Sequence, residues 1–195
     1  MRFFTSDIHF NADKAIKMDQ RPFKGKEEFD KFIVDLWNKQ AKKGDTIYVV
    51  GDLIDCKGAD DNSWQESIVY VKKIKADIVL ITGNNEDRVV KYYFNGSFEK
   101  FKEYCISIGY KDVCQNLTID FDGTNLYLIH KPKHHKEGML NIFGHVHRSG
   151  GLYKPYGVNI GCDLNHFRLY DEDGIRHLLD MKKKYWDVDD NLNER

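Results

Sequence analysis

The chain has 195 residues, enough to bury a substantial core within one domain, and its 30 Lys plus Arg nearly balance 31 Asp plus Glu. That balance excludes a global field drawing the protein onto nucleic acid or an anionic membrane, so a nucleic-acid role would need a local patch. The amino terminus, MRFFTSDIHF, has no apolar run long enough for a signal peptide, and no later stretch approaches a membrane span, so a cytoplasmic protein is expected. Cys56, Cys105, Cys114 and Cys162 form no CxxC pair and are expected as free thiols in a reducing compartment.

Arg2 to Ser6 reads as a short buried strand. It runs into Asp7 and His9, whose spacing of two puts both side chains on one side of an extended chain and suits one ion. A helix is predicted from about Lys26 to Lys43, with Phe29, Phe32, Ile33, Leu36 and Trp37 spaced three and four apart and Gly44 as its stop. Thr46 to Val50, the second strand, ends in Gly51-Asp52-Leu53-Ile54-Asp55. There the glycine allows close backbone approach, Asp52 can offer one oxygen to each of two ions, and Asp55 is expected behind the ligands rather than on an ion.

Asn62 to Ile74 predicts another helix, with Ile68, Val71 and Ile74 on one face. The third strand, Ile78 to Ile81, ends in Gly83-Asn84-Asn85-Glu86, where an Asn carbonyl oxygen is a neutral hard ligand. Alternating strands and helices predict a parallel sheet, and ligands of open α/β sheets gather at the carboxyl ends of the strands. Tyr92, Tyr93, Phe94, Phe98 and Phe101 follow helical spacing and are expected in the core rather than as a base-stacking platform.

The second half changes character. Leu117 to Phe121, the turn Asp122-Gly123 and Leu126 to His130 predict a hairpin, and Leu140 to Phe143 and Gly157 to Ile160 predict further strands. These favour a second, mixed sheet packed face to face with the first, each covered outside by helices. A single domain is expected over residues 1–185, followed by a polar tail, 186–195, frayed beyond Trp186. His130 follows one of these strands, and Gly144-His145-Val146-His147 follows another. Four of the chain's eight histidines thus fall at strand ends. Nitrogen and oxygen donors without a thiolate disfavour a structural zinc cluster and suit a catalytic pair of Mn, Fe, Zn, Co or Ni ions. Such a pair lowers the pKa of a bridging water and clamps phosphate oxygens during in-line attack, with no need of a protein nucleophile.

The ordered set D-x-H, G-D-x-x-D, G-N-N-E, H and G-H-x-H resembles the calcineurin-like metallophosphoesterase family over nearly the whole chain. Arg21-Pro22-Phe23, Gly44-Asp45-Thr46-Ile47-Tyr48 and Asn159-Ile160-Gly161-Cys162-Asp163 resemble a small bacterial and phage branch of predicted phosphoesterases. The resemblance implies a four-layer α/β/β/α sandwich and hydrolysis of a small phosphate ester, diesters favoured, by a metal-bridging hydroxide. It implies two divalent ions, manganese favoured, with Asp7, His9, Asp52 and His147 on one and Asp52, Asn84, His130 and His145 on the other. A catalytically weak binding module and a nuclease of the same chemistry are the alternatives.

Two departures bear on catalysis. Asn85 stands where the family usually has a histidine that meets the phosphate and protonates the leaving group. Asparagine can donate a hydrogen bond to a phosphoryl oxygen but cannot transfer the proton. Phe10-Asn11-Ala12 stands where the branch often reads Phe-Gly-His, so a second pocket histidine is missing as well. His134 or His135 is a candidate replacement acid, and Asn85, His134 and Arg148 are candidates for substrate contact.

Overall fold

The structure is a computed structural model that describes residues 1–60 and 62–186. Strand β1 (Arg2–Thr5) turns Phe3 to one face and Phe4 to the other, and β2 (Thr46–Val50) and β3 (Asp77–Ile81) do the same with Ile47 and Val49 against Val50, and Ile78 and Leu80 against Val79 and Ile81. A strand apolar at successive positions needs cover on both faces, which places it inside a layered fold. β1, β2, β3 and β4 (Asp112–Cys114) pair in parallel, and β10 (Tyr170–Asp171) joins the β1 edge antiparallel.

One face of this sheet is covered by α2 (Lys26–Gln40), α3 (Ser63–Val71), α4 (Asn84–Tyr93) and α5 (Phe98–Ser107), which follow the short α1 (Asp13–Met18). They bury Phe29, Ile33 and Trp37, Trp64 and Ile68, Val89, and Phe101 against Phe3, Ile47 and Ile78. α2 ends at Gln40 rather than Lys43, because Ala41 turns extended (φ −118°, ψ 139°). The turn that follows is tied by Asp45, which accepts from the Lys42 amide and the terminal ammonium, both at 2.9 Å. Phe32, expected inside, is 39 % exposed at the rim of an aromatic cluster with Phe23 and Phe167. Tyr93, Phe94 and Phe98 pack against the core, and Tyr92 is 40 % exposed.

The second sheet runs β5 (Leu117–Phe121), β6 (Thr124–Leu128), β7 (Leu140–Phe143), β9 (Gly157–Asn159) and β8 (Tyr153–Lys154). The β5–β6 hairpin closes through Asp122 and Gly123, both at positive φ (53° and 79°), as the twist of a two-residue turn requires. β6, β7 and β9 are parallel, and β8 closes the far edge antiparallel. Leu126, Leu128, Ile142 and Val158 face Phe4, Val50, Val79 and Ile81 across the interface, and α6 (Glu172–Met181) adds Ile175 and Leu178 to that core. On the outer side, the amide of Asn141 hydrogen-bonds Lys136, Met139 and Tyr156, so the 131–139 segment lies over the sheet.

A π-helical turn, Lys182–Trp186, continues α6. The polar tail expected at 186–195 lies, beyond Trp186, outside the described residues. The four cysteines are free thiols. Among the described residues no helix is long and apolar enough to cross a membrane.

Candidate metal centre

The carboxyl ends of β1, β2, β3, β6 and β7 open at one edge of the two sheets, and their loops are stitched to each other. The amide of Asp7 donates to Gly51 O (3.1 Å), that of His9 to Asp52 O (2.9 Å) and that of Gly144 to His130 O (3.1 Å). The His145 amide donates to both carboxylate oxygens of Asp7, at 2.9 and 3.0 Å. Five of the seven predicted ligands adopt the left-handed backbone region: Asp7 (φ 61°), His9 (56°), Asp52 (50°), His145 (71°) and His147 (45°). Each such non-glycine residue costs on the order of 1–3 kcal/mol and persists only where its surroundings over-determine it. Strain concentrated at one spot points to function. The motif glycines permit the crowding: a Cβ on Gly51 would collide with the His130 ring, and one on Gly144 with Ser6 Oγ and Asp7 Oδ2.

Two groups of donors converge. In the first, His9 Nε2 and His147 Nε2 face each other at 3.3 Å, with Asp52 Oδ2 3.7 Å from His9 and Asp7 Oδ1 3.8 Å from His147. In the second, His130 Nε2 lies 3.3 Å from Asn84 Oδ1 and 3.5 Å from Asp52 Oδ1. His130 Nδ1 must donate to Val50 O at 2.8 Å, so a neutral ring aims its Nε2 lone pair at two oxygens. Likewise His147 Nδ1 donates to Asp19 Oδ2 at 2.8 Å and directs its Nε2 lone pair into the first group. In the second group lone pairs are aimed at one another, which suits a cation, and the donor set of the two groups, imidazole, carboxylate and amide oxygen, suits a divalent transition metal. Asp7, His9 and His147, and Asp7, Asp52 and His130, each place ligand atoms within 4.8 Å of one another.

The same demand for positive charge governs titration. Burial opposes a charge on His130, yet the hydrogen bond and charge of Asp52 raise its pKa to about 9. Burial alone would raise Asp52; the His130 hydrogen bond and the charges of His130 and His9 outweigh it and hold the carboxyl well below the ordinary range. Burial lowers His145, and the neighbouring His130 adds to the effect. The His145 ring, 5.1 Å from that of His130 between centroids, lines the cleft but stands outside both close groups.

These residues frame a cleft of about 180 Å³, where Asp55, Asn84 and Asn85 meet His9, Asp52, His145 and His147, with Lys14 and Arg88 on its walls. His134 lies instead on a separate polar pocket of about 310 Å³, whose lining includes His130. His135 stacks on Tyr156 at 4.1 Å, over the outer face of the second sheet. Arg148 is exposed on a short turn after His147 and does not line the cleft, since the left-handed His147 redirects the chain there. A larger cavity, about 590 Å³, lies between α6 and the β5–β6 turn and contains none of the predicted site residues.

Several supporting residues escape local sequence reasoning. Asp19 holds His147, and nothing near it in the chain signals that role. Glu86, fully buried, accepts from the amides of Gly83 (2.7 Å), Asp52 (2.9 Å), Leu53 (3.0 Å) and Ile54 (3.3 Å), locking the β2 and β3 loops together. Its signal is its place in the Gly83-Asn84-Asn85-Glu86 string. Arg21 is buried, holds Asp163 through two hydrogen bonds of 2.9 Å, and donates to the carbonyls of Asp7 and Ile8 at 2.8 Å. Asp19, His147 and Asp163 also approach one another, but the guanidinium of Arg21 already supplies the charge between the two carboxylates.

Similar proteins match this chain over most of their length. An uncharacterized protein of Methanocaldococcus jannaschii is 28 % identical over 193 residues, 96 % of each chain. The gene 66 protein of Mycobacterium phage D29 is 23 % identical over 197 residues, covering 91 % of this chain and 94 % of its own. Among solved structures, a protein of unknown function from Aquifex aeolicus has the same fold, with a TM-score of 0.66 at 22 % identity over 91 % of this chain and 98 % of its own. The model of the calcineurin-like phosphoesterases matches residues 3–184, nearly every residue that builds the two sheets and the strand-end loops, and the chain belongs to that family.

Proposed function

We propose that the chain hydrolyses small phosphate esters, diesters favoured, with two divalent ions, one on Asp7, His9, Asp52 and His147 and the other on Asp52, Asn84, His130 and His145. Asp52 carries this assignment: one of its oxygens lies 3.7 Å from His9 and the other 3.5 Å from His130, the division expected of a bridging carboxylate. Such a pair of ions, manganese favoured and Fe, Zn, Co or Ni compatible with the donors, would supply an activated water at neutral pH and positive charge for the phosphoryl oxygens.

The chain's own residues do the rest. Val50 O and Asp19 set the tautomers of His130 and His147, so that their Nε2 lone pairs face inward. Among the described residues lining the cleft there is no Ser, Thr or Cys, and His9, Asp52, His145 and His147 are the ones assigned to the ions, which favours water as the nucleophile. Lys14 and Arg88 offer cationic contacts to the phosphate from the cleft wall. Asn85, 2 % exposed at the cleft floor, supplies a hydrogen-bond donor but no titratable proton, which favours esters with good leaving groups. A net charge of −1 favours a small cytoplasmic ester over a long polyanion.

The test is hydrolysis of bis-(p-nitrophenyl) phosphate and p-nitrophenyl phosphate by metal-stripped protein, with Mn, Ni, Zn, Co or Mg added back, beside Asp52→Asn. Metal-dependent turnover that favours the diester and disappears in Asp52→Asn is expected. Silence with every metal, despite two bound ions, would instead identify a metal-holding binding module.

A further inference from the structure

The hydrogen bonds around His9 form a chain whose direction can be read from its ends. Arg88 Nη1, which can only donate, and the Cys56 amide reach the same atom of Asn85, at 3.0 and 3.3 Å. That atom is therefore the amide oxygen, and Nδ2 is a donor. Asn85 Nδ2 lies 3.3 Å from His9 Nδ1, so His9 Nδ1 accepts and a neutral ring carries its proton on Nε2. His9 Nε2 in turn faces His147 Nε2 at 3.3 Å, which accepts because His147 Nδ1 donates to Asp19 at 2.8 Å. Donors run one way, from Arg88 through Asn85, His9 and His147 to Asp19.

This tautomer of His9 cannot hold an ion through Nε2, where the lone pair is needed. Moving the ring proton from Nε2 to Nδ1 frees the lone pair and leaves the ring neutral, but it sets an N–H against the NH2 of Asn85. Turning the Asn85 amide over would set its NH2 against Arg88 and the Cys56 amide, two donor–donor contacts in place of one. Another acceptor stands nearby. Asp55 Oδ1 lies 3.9 Å from His9 Nδ1, its side chain is 13 % exposed, and its buried Oδ2 has no hydrogen-bond partner among the described residues.

We propose that Asp55 is the positioning residue for His9: when an ion is held, Asp55 accepts the Nδ1 proton of His9, and Asn85 is released from the ring to donate to a phosphoryl oxygen. Arg88 makes the exchange one-sided, because it keeps the Asn85 oxygen occupied and the NH2 directed at the cleft. The ion and the Asn85 donor thus arrive together. The assignment rests on the two-ion reading above and adds to it which acceptor serves His9 and what releases Asn85.

The experiment uses the whole chain labelled with 15N at histidine, metal-free and zinc-loaded, with long-range proton–nitrogen spectra to assign each tautomer. His9 is expected with its proton on Nε2 in the metal-free protein and on Nδ1 with zinc. Zinc titration is expected to show one of two sites weakened 10- to 100-fold in Asp55→Ala. Asp55→Asn, whose carbonyl oxygen still accepts, is expected to restore most of that affinity. A proton on Nδ1 in the metal-free protein, or unchanged zinc affinity at both sites in Asp55→Ala, would overturn the proposal. Should Asp55→Ala fail to fold, the wild-type spectra and Asp55→Asn decide. A wild-type protein that binds fewer than two zinc ions would instead overturn the two-ion reading itself, so the two failures are distinguishable.

Discussion

Asp30 of α2 is a carboxylate with 0 % exposure, one hydrogen bond from the Asn11 amide at 2.9 Å, and a second oxygen without a partner among the described residues. Burial pushes its pKa up from 3.8 to about 7, against the pull of the Asn11 amide and Lys26. Because the folded value lies above the unfolded one, its stabilising contribution is complete below 3.8 and is lost as pH rises through about 7. Three decades of proton affinity at about 1.4 kcal/mol each make the full loss about 4 kcal/mol. Asparagine reproduces the protonated carboxyl at every pH, so Asp30→Asn should be more stable than wild type, by about 1.5 kcal/mol near pH 5 and about 4 kcal/mol near pH 8. Urea unfolding of both proteins in EDTA, followed by circular dichroism, measures the difference. A gap that stays constant between those two pH values would refute the assignment of the buried titration to Asp30.

Three further outcomes are expected. Asp19→Ala removes the 2.8 Å acceptor of His147 Nδ1 and should weaken manganese binding about 10- to 100-fold in a calorimetric titration, with unchanged affinity as the contrary result. Gly144→Ala drives a Cβ into Ser6 Oγ and Asp7 Oδ2 and should destabilise the fold by about 1–3 kcal/mol; an unaltered thermal midpoint would show that the loop yields freely. Asn85→His restores a titratable donor and should raise the rate on alkyl phosphodiesters more than on nitrophenyl ones, by up to about 10²- to 10⁴-fold. No gain on the alkyl ester would show that another group already protonates the leaving oxygen.

Strands β2, β5 and β7 end where apolar patterning and turn residues place them, because each is a short run closed by Gly, Asp or both. Helix ends were less legible: α2 stops at Gln40, where Ala41 is buried in the core and Asp45 holds the terminal ammonium, contacts that the helix's own periodicity does not contain. The candidate ligands were found as strand-end motifs, and the structure brings six of the seven into two close groups, with the His145 ring at their edge. The burial of Asp30 was invisible, since a single acid in an amphipathic helix reads as a solvent-facing position.

Although α1, β4, β8, β10 and α6 emerge only in the structure, the amino-acid sequence by itself determined the two-sheet architecture and the strands whose ends carry the candidate ligands. Those properties follow from spacings of two, three or four residues, which the chain carries locally. Only the tertiary structure decided that Asp19 stands behind His147, that Arg88 orients Asn85, and that His134 and Arg148 lie outside the cleft. Those relations join residues as far as 128 positions apart, and they depend on strand register, sheet packing and the direction of each hydrogen bond, none of which a local pattern encodes.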